Sequence, residues 1–213
     1  SLPRGLKHDL VCKLVRVARA LKGVHSLGRV FRSRFDVFAA IDGYLDLLHG
    51  WRTPLPEDYY EVGQRARAVR LALEASPVAL VPCHNDLLNA NFIDDGQRIR
   101  IVDWEYAGMG DPSFDLGNFS VNHGLDAEQE AILLDAYVGD AGRAAAPSPA
   151  LGARLTLMRV VSDFREAMWG VLQQGISSLD VDFVAYAAEH FDRLLGGAMT
   201  PGFERALREA AEG

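Results

Sequence analysis

The chain has 213 residues, 49% of them hydrophobic and 24% charged, a balance that is ordinary for a globular protein and argues against a disordered or fibrous one. Acidic residues outnumber basic residues by 29 to 22, and the net charge of −7 argues against a broad surface for nucleic acid or for an anionic membrane. Two cysteines make neither a disulfide framework nor a zinc motif, and no apolar run approaches the ~18 residues of a membrane span, so we expect a cytoplasmic protein without membrane insertion.

Helical periodicity dominates both ends of the chain. Leu10, Leu14, Val17 and Leu21 recur at spacings of three and four residues, which predicts an amphipathic helix. The same kind of pattern predicts helices over 38–48, 58–75, 127–138, 157–172, 183–195 and 204–211. A Gly/Ala/Pro-rich stretch over 139–149 predicts a surface loop.

A small β element interrupts the helices in the middle of the chain. The apolar run 78–81 predicts a buried strand, and 91–93 and 99–102 predict a hairpin because an Asp-Gly turn lies between them. Gly108-Met109-Gly110 reads as a loop. The predicted fold class is α+β and mostly helical, with one small β hairpin that carries a polar loop.

The densest group of polar side chains lies on this β element. The hairpin brings Asn91 near the end of the strand that precedes Asp103, so that Asp86, Asn91 and Asp103 can meet at one end of it. Mg²⁺ prefers such oxygen ligands, and phosphoryl transfer needs a carboxylate near the acceptor hydroxyl. Each of these residues taken alone is equally typical of a turn or a strand end.

Three sequence segments resemble the choline/ethanolamine kinase branch of the aminoglycoside-phosphotransferase-like kinases, which have a protein-kinase-like fold. These segments are His84-Asn85-Asp86 through Asn91, Asp103-Trp104-Glu105-Tyr106, and Phe114-Asp115-Leu116-Gly117-Asn118. The resemblance implies an enzyme that uses Mg²⁺ as cofactor and ATP as co-substrate.

The resemblance also implies a role for single residues of these segments. Asp86 would be the catalytic base, and Asn91 and Asp103 would hold Mg²⁺. His84 would be a structural residue near the site, and Asp115 would be the buried aspartate that hydrogen-bonds the catalytic loop.

The C-terminal helices carry a second match to the same family. Trp169, Gln173 and Tyr186, with Tyr106 and Glu166, imply a substrate site for a cationic head group, since ammonium groups are attracted to aromatic ring faces. Aromatic residues at helical spacing are also typical of core packing. Glu166 stands where choline kinases have a tryptophan, which leaves choline, ethanolamine and other amino alcohols open as acceptors.

The domain organisation follows from the resemblance. Residues 1–213 would form the C-terminal lobe, with a catalytic and metal-binding segment over about 78–118 and a helical substrate-binding part over about 119–213. The N-terminal nucleotide lobe would be absent, because the three lysines, Lys7, Lys13 and Lys22, all lie in the first helical region. We therefore expect weak or no turnover from this chain alone.

The predicted function is an ATP- and Mg²⁺-dependent phosphotransferase that acts on the hydroxyl of a small amino alcohol. An aminoglycoside, thiamine or sugar kinase of the same superfamily is the alternative enzyme, and a non-catalytic ligand-binding domain is the alternative of another class. We expect no nucleic-acid partner and leave a homodimer open. The other histidines are expected at the surface or at helix caps: His8, His25, His49, His123 and His190.

Overall fold

A computed structural model describes residues 4–139 and 146–213. Over these ranges the chain forms α1 (Arg4–His25), α2 (Val37–Gly50), α3 (Tyr59–Ala75), β1 (Val81–Cys83), β2 (Phe92–Asp94), β3 (Ile99–Ile101), β4 (Gly108–Gly110), α4 (Pro112–Asn122), α5 (Ala127–Val138), α6 (Pro149–Ile176), α7 (Phe183–Ala198) and α8 (Pro201–Glu212). The predicted class, α+β and mostly helical, is confirmed. No helix within the described ranges is both long and apolar enough to cross a bilayer.

The chain folds into two compact units. The first covers residues 1–35 and 79–152, and the second covers 36–78 and 153–213. All four strands belong to the first unit, together with α1, α4 and α5, while α2, α3, α7, α8 and most of α6 form the second. Part of the predicted loop 139–149, residues 140–145, lies outside the described residues, and α6 begins at Pro149.

Side-chain caps define where several helices begin. Asp36 accepts hydrogen bonds from the main-chain N–H groups of Phe38 and Ala39 at the start of α2. Asp126 and Gln129 form a reciprocal capping box at the start of α5. Each cap satisfies main-chain donors that have no partner within the first helical turn.

The hairpin is confirmed, with β2 antiparallel to β3 and Phe92 opposite Ile101. Its turn is closed by the Asp94 carboxylate, which accepts from the Gly96 N–H, and Gly96 has φ +84°. Only glycine adopts this left-handed conformation without a steric cost, which explains the Asp-Gly pattern. Helix α1 packs against β3, β1 and α5, and its buried stripe includes Leu14 and Leu21.

The second strand pair corrects two predictions. The strand predicted at 78–81 occurs instead at Val81–Cys83, and the stretch predicted as a loop, Gly108–Gly110, is β4, which pairs with it antiparallel. Met109 also exchanges main-chain hydrogen bonds with the 33–35 segment on the other side. A Cβ on Gly108 would lie 3.0 Å from the main-chain nitrogen of Phe35, so the glycine is needed for this close approach.

Candidate active site

The predicted catalytic loop, residues 84–91, follows β1 and carries Asp86, the predicted catalytic residue. Asp86 is 9% exposed and Asn91 is 7% exposed. The Asn91 carboxamide donates to the main-chain oxygen of Asp86 at 2.8 Å, and its nitrogen lies 3.4 Å from Asp86 Oδ2. The five-residue spacing in the sequence therefore corresponds to direct contact between these two side chains.

The main chain that leads to Asp103 is bonded to Asn91. The N–H of the preceding residue, Val102, donates to the main-chain oxygen of Asn91 at 3.0 Å, which extends the hairpin ladder by one step. Asp103 is exposed and has φ +64°. A left-handed conformation costs a non-glycine residue about 1 kcal/mol and is concentrated at functional sites.

The side-chain oxygens of Asn91 and Asp103 suit Mg²⁺ as ligands. The nitrogen of the Asn91 carboxamide is hydrogen-bonded to Asp86. The oxygen of the same carboxamide is therefore the atom that could bind a metal ion. Carboxylate and amide oxygens are the hard ligands that Mg²⁺ takes in small numbers, together with water and phosphate oxygens. The residues that the sequence assigns to the metal, Asn91 and Asp103, therefore fit it chemically.

His84 connects the catalytic loop to the strand that leads to Asp103. Its imidazole is fully buried, with Nε2 2.9 Å from the main-chain oxygen of Val102. The N–H of Asp86 donates to Nδ1 at 3.3 Å. Since a carbonyl oxygen can only accept, this pattern assigns the Nε2–H tautomer. The ring of Trp104 packs edge-on against His84, with centroids 4.7 Å apart.

Asp115 holds the start of the catalytic loop from the first turn of α4. Its two carboxylate oxygens accept from the main-chain N–H groups of His84 at 2.9 Å and of Asn85 at 2.7 Å. One helical turn later, Asn118 accepts from the N–H of Leu87 at 2.5 Å. Spacing of three residues places Asp115 and Asn118 on one face of α4, so this helix fixes both ends of the loop that contains Asp86.

A buried polar chain continues behind Asp115. His25, at the end of α1, has Nε2 3.0 Å from the Asp115 carboxylate and Nδ1 2.8 Å from the Tyr137 hydroxyl. Burial, together with the nearby Cys83 and Asp115, raises the pKa of the Tyr137 hydroxyl. The expectation of a surface or capping His25 is therefore wrong, because this side chain is 7% exposed and supports the catalytic loop.

His190 corrects the same expectation in the second unit. It is buried, and its Nδ1 lies 2.8 Å from the Asp163 carboxylate, which also accepts from the Arg193 guanidinium at 2.6 Å. No local sequence signal marks either histidine, because the carboxylates that they meet, Asp115 and Asp163, lie on other helices.

Within the described part of the chain, one group of three side chains of metal-ligating type comes together: His25, Cys83 and Asp115, with ligand atoms within 4.8 Å of one another. Both Asp115 oxygens are already bound to main-chain N–H groups. Burial raises the pKa of the Cys83 thiol, which disfavours the thiolate that a metal would need. This group is a packed polar core, and Cys83 is the small buried side chain of that core.

In the second unit, α6 and α7 bring the predicted aromatic residues together. The Trp169 ring lies edge to face with Phe183 at 5.6 Å and with Tyr186 at 5.7 Å between centroids. Trp169 and Tyr186 are half-buried, and Gln173 is half-buried one turn further along α6. These rings form a cluster in which Phe183 is buried and Trp169 and Tyr186 keep part of their surface exposed.

Glu166 forms the polar side of this aromatic cluster. Its Oε2 accepts from the Tyr186 hydroxyl at 2.8 Å, and its Oε1 lies 3.2 Å from the Arg165 guanidinium. Burial and the neighbouring Glu166 carboxylate raise the pKa of the Tyr186 hydroxyl, so the phenol remains a donor. Tyr106, the remaining predicted substrate residue, is half-buried in the first unit, in the segment that follows Asp103.

Gly170 sets the distance between α6 and α7. An added Cβ would lie 2.9 Å from the Tyr186 ring and 3.2 Å from the Ala187 Cβ. We expect Gly170→Ala to lower the free energy of unfolding by about 2 kcal/mol, since overpacking a tight contact has a cost of this order. Denaturant unfolding measures it, and Gly196→Ala on α7 is the matched control, because a Cβ at that position would have no atom of the described residues within 4 Å apart from its chain neighbours and the backbone of its own helix. Equal stability of the two variants would contradict a tight contact at Gly170.

Comparison with known proteins agrees with this geometry. The model of a phosphotransferase enzyme family matches residues 13–150. A solved choline/ethanolamine kinase family protein from Mesorhizobium loti is 39% identical, with a TM-score of 0.85 over 94% of this chain and 66% of that one. Protein LicA of Haemophilus influenzae is 33% identical over 58% of this chain and 46% of its own length. Human ethanolamine kinase 2 is 33% identical over 55% of this chain and 34% of its own length.

The chain thus spans less than half the length of these two curated relatives. The family match covers the catalytic loop, the hairpin, Asp103 and Asp115, and it continues through α5. On this match the chain belongs to the phosphotransferase enzyme family, and its relatives include choline/ethanolamine kinases.

Proposed function

We propose that the protein transfers the γ-phosphoryl group of ATP to the hydroxyl of a small amino alcohol such as choline or ethanolamine. The observation that carries this proposal is the contact between Asp86 and Asn91 on a buried loop, with Asp103 two residues beyond the end of β3 and directly after Val102, which bonds Asn91. Membership of a phosphotransferase family supports the reaction class. The names of the relatives, choline/ethanolamine kinase and ethanolamine kinase, support the class of acceptor.

Asp86 acts as the base in this proposal. Its carboxylate orients the acceptor hydroxyl and accepts its proton while the oxygen attacks the γ-phosphorus of ATP. The bond between that phosphorus and the β–γ bridging oxygen breaks, and ADP leaves with the electron pair. Asn91 positions the Asp86 segment through its 2.8 Å hydrogen bond to the main chain.

Asn91 and Asp103 would hold Mg²⁺ in this reaction. When bound, the ion would neutralise charge on the phosphate oxygens. The hydrogen bond that orients the Asn91 carboxamide and the exposed carboxylate of Asp103 support this assignment.

The aromatic cluster of α6 and α7 supports a cationic acceptor. Ring faces of Trp169 and Tyr186 attract an ammonium group by about 0.5–2 kcal/mol per contact. Glu166 orients the Tyr186 hydroxyl and adds negative charge beside it. The roles of Gln173 and Tyr106 in binding the acceptor stay predictions, as do a homodimer and a cytoplasmic location.

A substrate panel tests the proposed function. The whole gene product that contains this chain is incubated with Mg-ATP and one acceptor at a time: choline, ethanolamine, thiamine, a sugar or an aminoglycoside. ADP release is coupled to NADH oxidation, and the phosphorylated product is identified by mass spectrometry. We expect the highest kcat/KM with choline or ethanolamine.

Two results would contradict the proposal. A higher kcat/KM with thiamine, a sugar or an aminoglycoside would support the phosphotransferase reaction but contradict the assignment of an amino alcohol as the acceptor. Calorimetric binding of choline without any phosphoryl transfer would favour a ligand-binding domain instead.

A further inference from the structure

The segment around Asp103 is held against the catalytic loop by side chains as well as by the hairpin ladder. Upstream of Asp103, His84 bonds to the oxygen of Val102. Downstream of it, the carboxamide nitrogen of Asn85 donates to the main-chain oxygen of Tyr106 at 3.0 Å. Two neighbouring residues of the catalytic loop, His84 and Asn85, thus form hydrogen bonds with the main chain on both sides of Asp103.

Asn85 has a backbone conformation that few residues tolerate. Its φ is +68°, and among non-glycine residues of the described chain only Arg52 and Asp103 also have positive φ. Asparagine and glycine enter this left-handed region more easily than other residues do. The conformation is stabilised by the 2.7 Å hydrogen bond from the Asn85 N–H to Asp115.

The orientation of the Asn85 carboxamide is unambiguous. Its nitrogen lies near two carbonyl oxygens, that of Tyr106 at 3.0 Å and that of Cys83 at 3.4 Å. Carbonyl oxygens only accept, so the NH₂ group has to face them. The side chain is fully buried, and a hydrogen bond in such surroundings is costly to lose.

Strand β4, which pairs with β1, leaves space for the Asn85 carboxamide. A Cβ on Gly110 would lie 3.2 Å from Asn85 Oδ1 and 3.5 Å from the main-chain oxygen of Phe35. The absence of a side chain at Gly110 of β4 therefore leaves the space that the Asn85 carboxamide occupies.

We propose that Asn85 is a positioning residue whose buried carboxamide, in a left-handed backbone conformation, ties the segment from Asp103 to Tyr106 to the catalytic loop. The bond sets where the Asp103 carboxylate stands relative to Asp86. This inference rests on the proposed function for its kinetic consequence, while the tie itself is a property of the fold.

The test compares Asn85→Gly and Asn85→Asp in the whole gene product. Glycine accepts the left-handed conformation and removes only the carboxamide, whereas aspartate keeps the shape and turns an acceptor towards two carbonyl oxygens. We expect kcat to fall about tenfold for Asn85→Gly and about a hundredfold for Asn85→Asp, since one lost hydrogen bond is a smaller defect than a buried repulsion. Asn89→Ser is the control, because the Asn89 side chain lies exposed in the same loop and donates to the main-chain oxygen of Asn122.

Hydrogen exchange gives a readout that needs no metal, nucleotide or acceptor. We expect main-chain amides of residues 101–107 to exchange faster by about tenfold in Asn85→Gly, while those of α5 keep their wild-type rates. A merely structural role would instead raise exchange across the whole first unit. Unchanged exchange in 101–107 would overturn the inference.

A double-mutant cycle with Gly110→Ala tests the contact itself. The added methyl group should displace the carboxamide and lower kcat in the wild-type background, and it should have no further effect once Asn85 is glycine. Equal losses in both backgrounds would refute the tie. Should Asn85→Gly fail to fold, Gly110→Ala alone decides: faster exchange confined to 101–107 supports the tie, and unchanged exchange there refutes it.

The kinetic arm also separates this inference from the proposed function. If the unsubstituted protein phosphorylates no acceptor, the proposed function fails. The hydrogen-exchange results still test whether Asn85 holds the segment from Asp103 to Tyr106. If the unsubstituted protein is active and Asn85→Gly matches it in both kcat and exchange, only the tie is wrong.

Discussion

Asp86→Asn is expected to lower kcat by about 10³-fold, since removal of a general base has an effect of this order. The amide keeps the volume of the carboxylate but cannot accept the hydroxyl proton at neutral pH. The fold should persist, because the 2.8 Å hydrogen bond from Asn91 goes to the main-chain oxygen of Asp86. Steady-state kinetics with the best acceptor of the panel measures the change.

The control for this variant is Asp95→Asn in the hairpin turn of the same unit. Asp95 is exposed, and its Oδ1 accepts from the main-chain N–H groups of Gln97 and Arg98, a role that asparagine can also fill. We expect wild-type kcat for Asp95→Asn and the same thermal midpoint for Asp86→Asn as for wild type. Near-normal kcat in Asp86→Asn would remove Asp86 from the mechanism.

Asp115→Asn is expected to lower the free energy of unfolding of the first unit by about 3 kcal/mol, the range for losing charge-assisted hydrogen bonds in a buried site. The Asp115 carboxylate accepts from two main-chain N–H groups and lies 3.0 Å from His25. A carboxamide has one acceptor oxygen, so its NH₂ group would face a donor. Urea unfolding at neutral pH measures the loss.

The matched control is Asp126→Asn, at the exposed N-cap of α5. Asparagine caps helices as well as aspartate does, so we expect a loss of only a few tenths of a kcal/mol. Turnover should fall with Asp115→Asn because the loop that carries Asp86 loses its anchor. A loss of stability no larger than that of the control would show that Asp115 does not hold the loop.

Much of the candidate site could be predicted because its parts are close in sequence. The Asp86–Asn91 contact spans five residues, and the Asp-Gly turn sets the hairpin register that brings Val102, the residue before Asp103, against Asn91. Turn chemistry and the period of a strand are local properties, so a single sequence expresses them. Helical periodicity located the helices other than α4 for the same reason, although some ends differ by several residues.

The parts that were predicted wrongly depend on contacts between distant segments. His25 meets Asp115 across 90 residues, and nothing in the α1 pattern marks its last turn as buried. The sequence predicts a loop over 108–110, yet the backbone there is strand β4 and is held between β1 and the 33–35 segment. Close backbone approach favours glycine at such a position, and this requirement exists only once the neighbours are in place.

The sequence by itself determined the family, the helical character and the identity of the polar loop, since each depends on residue types at short, regular spacings. Tertiary structure alone decided that His25 and Tyr137 support Asp115, that Gly110 makes room for Asn85, and that Glu166 bonds Tyr186. The physical reason is that a buried polar group must find its partner wherever packing brings one, and packing joins residues irrespective of their distance along the chain.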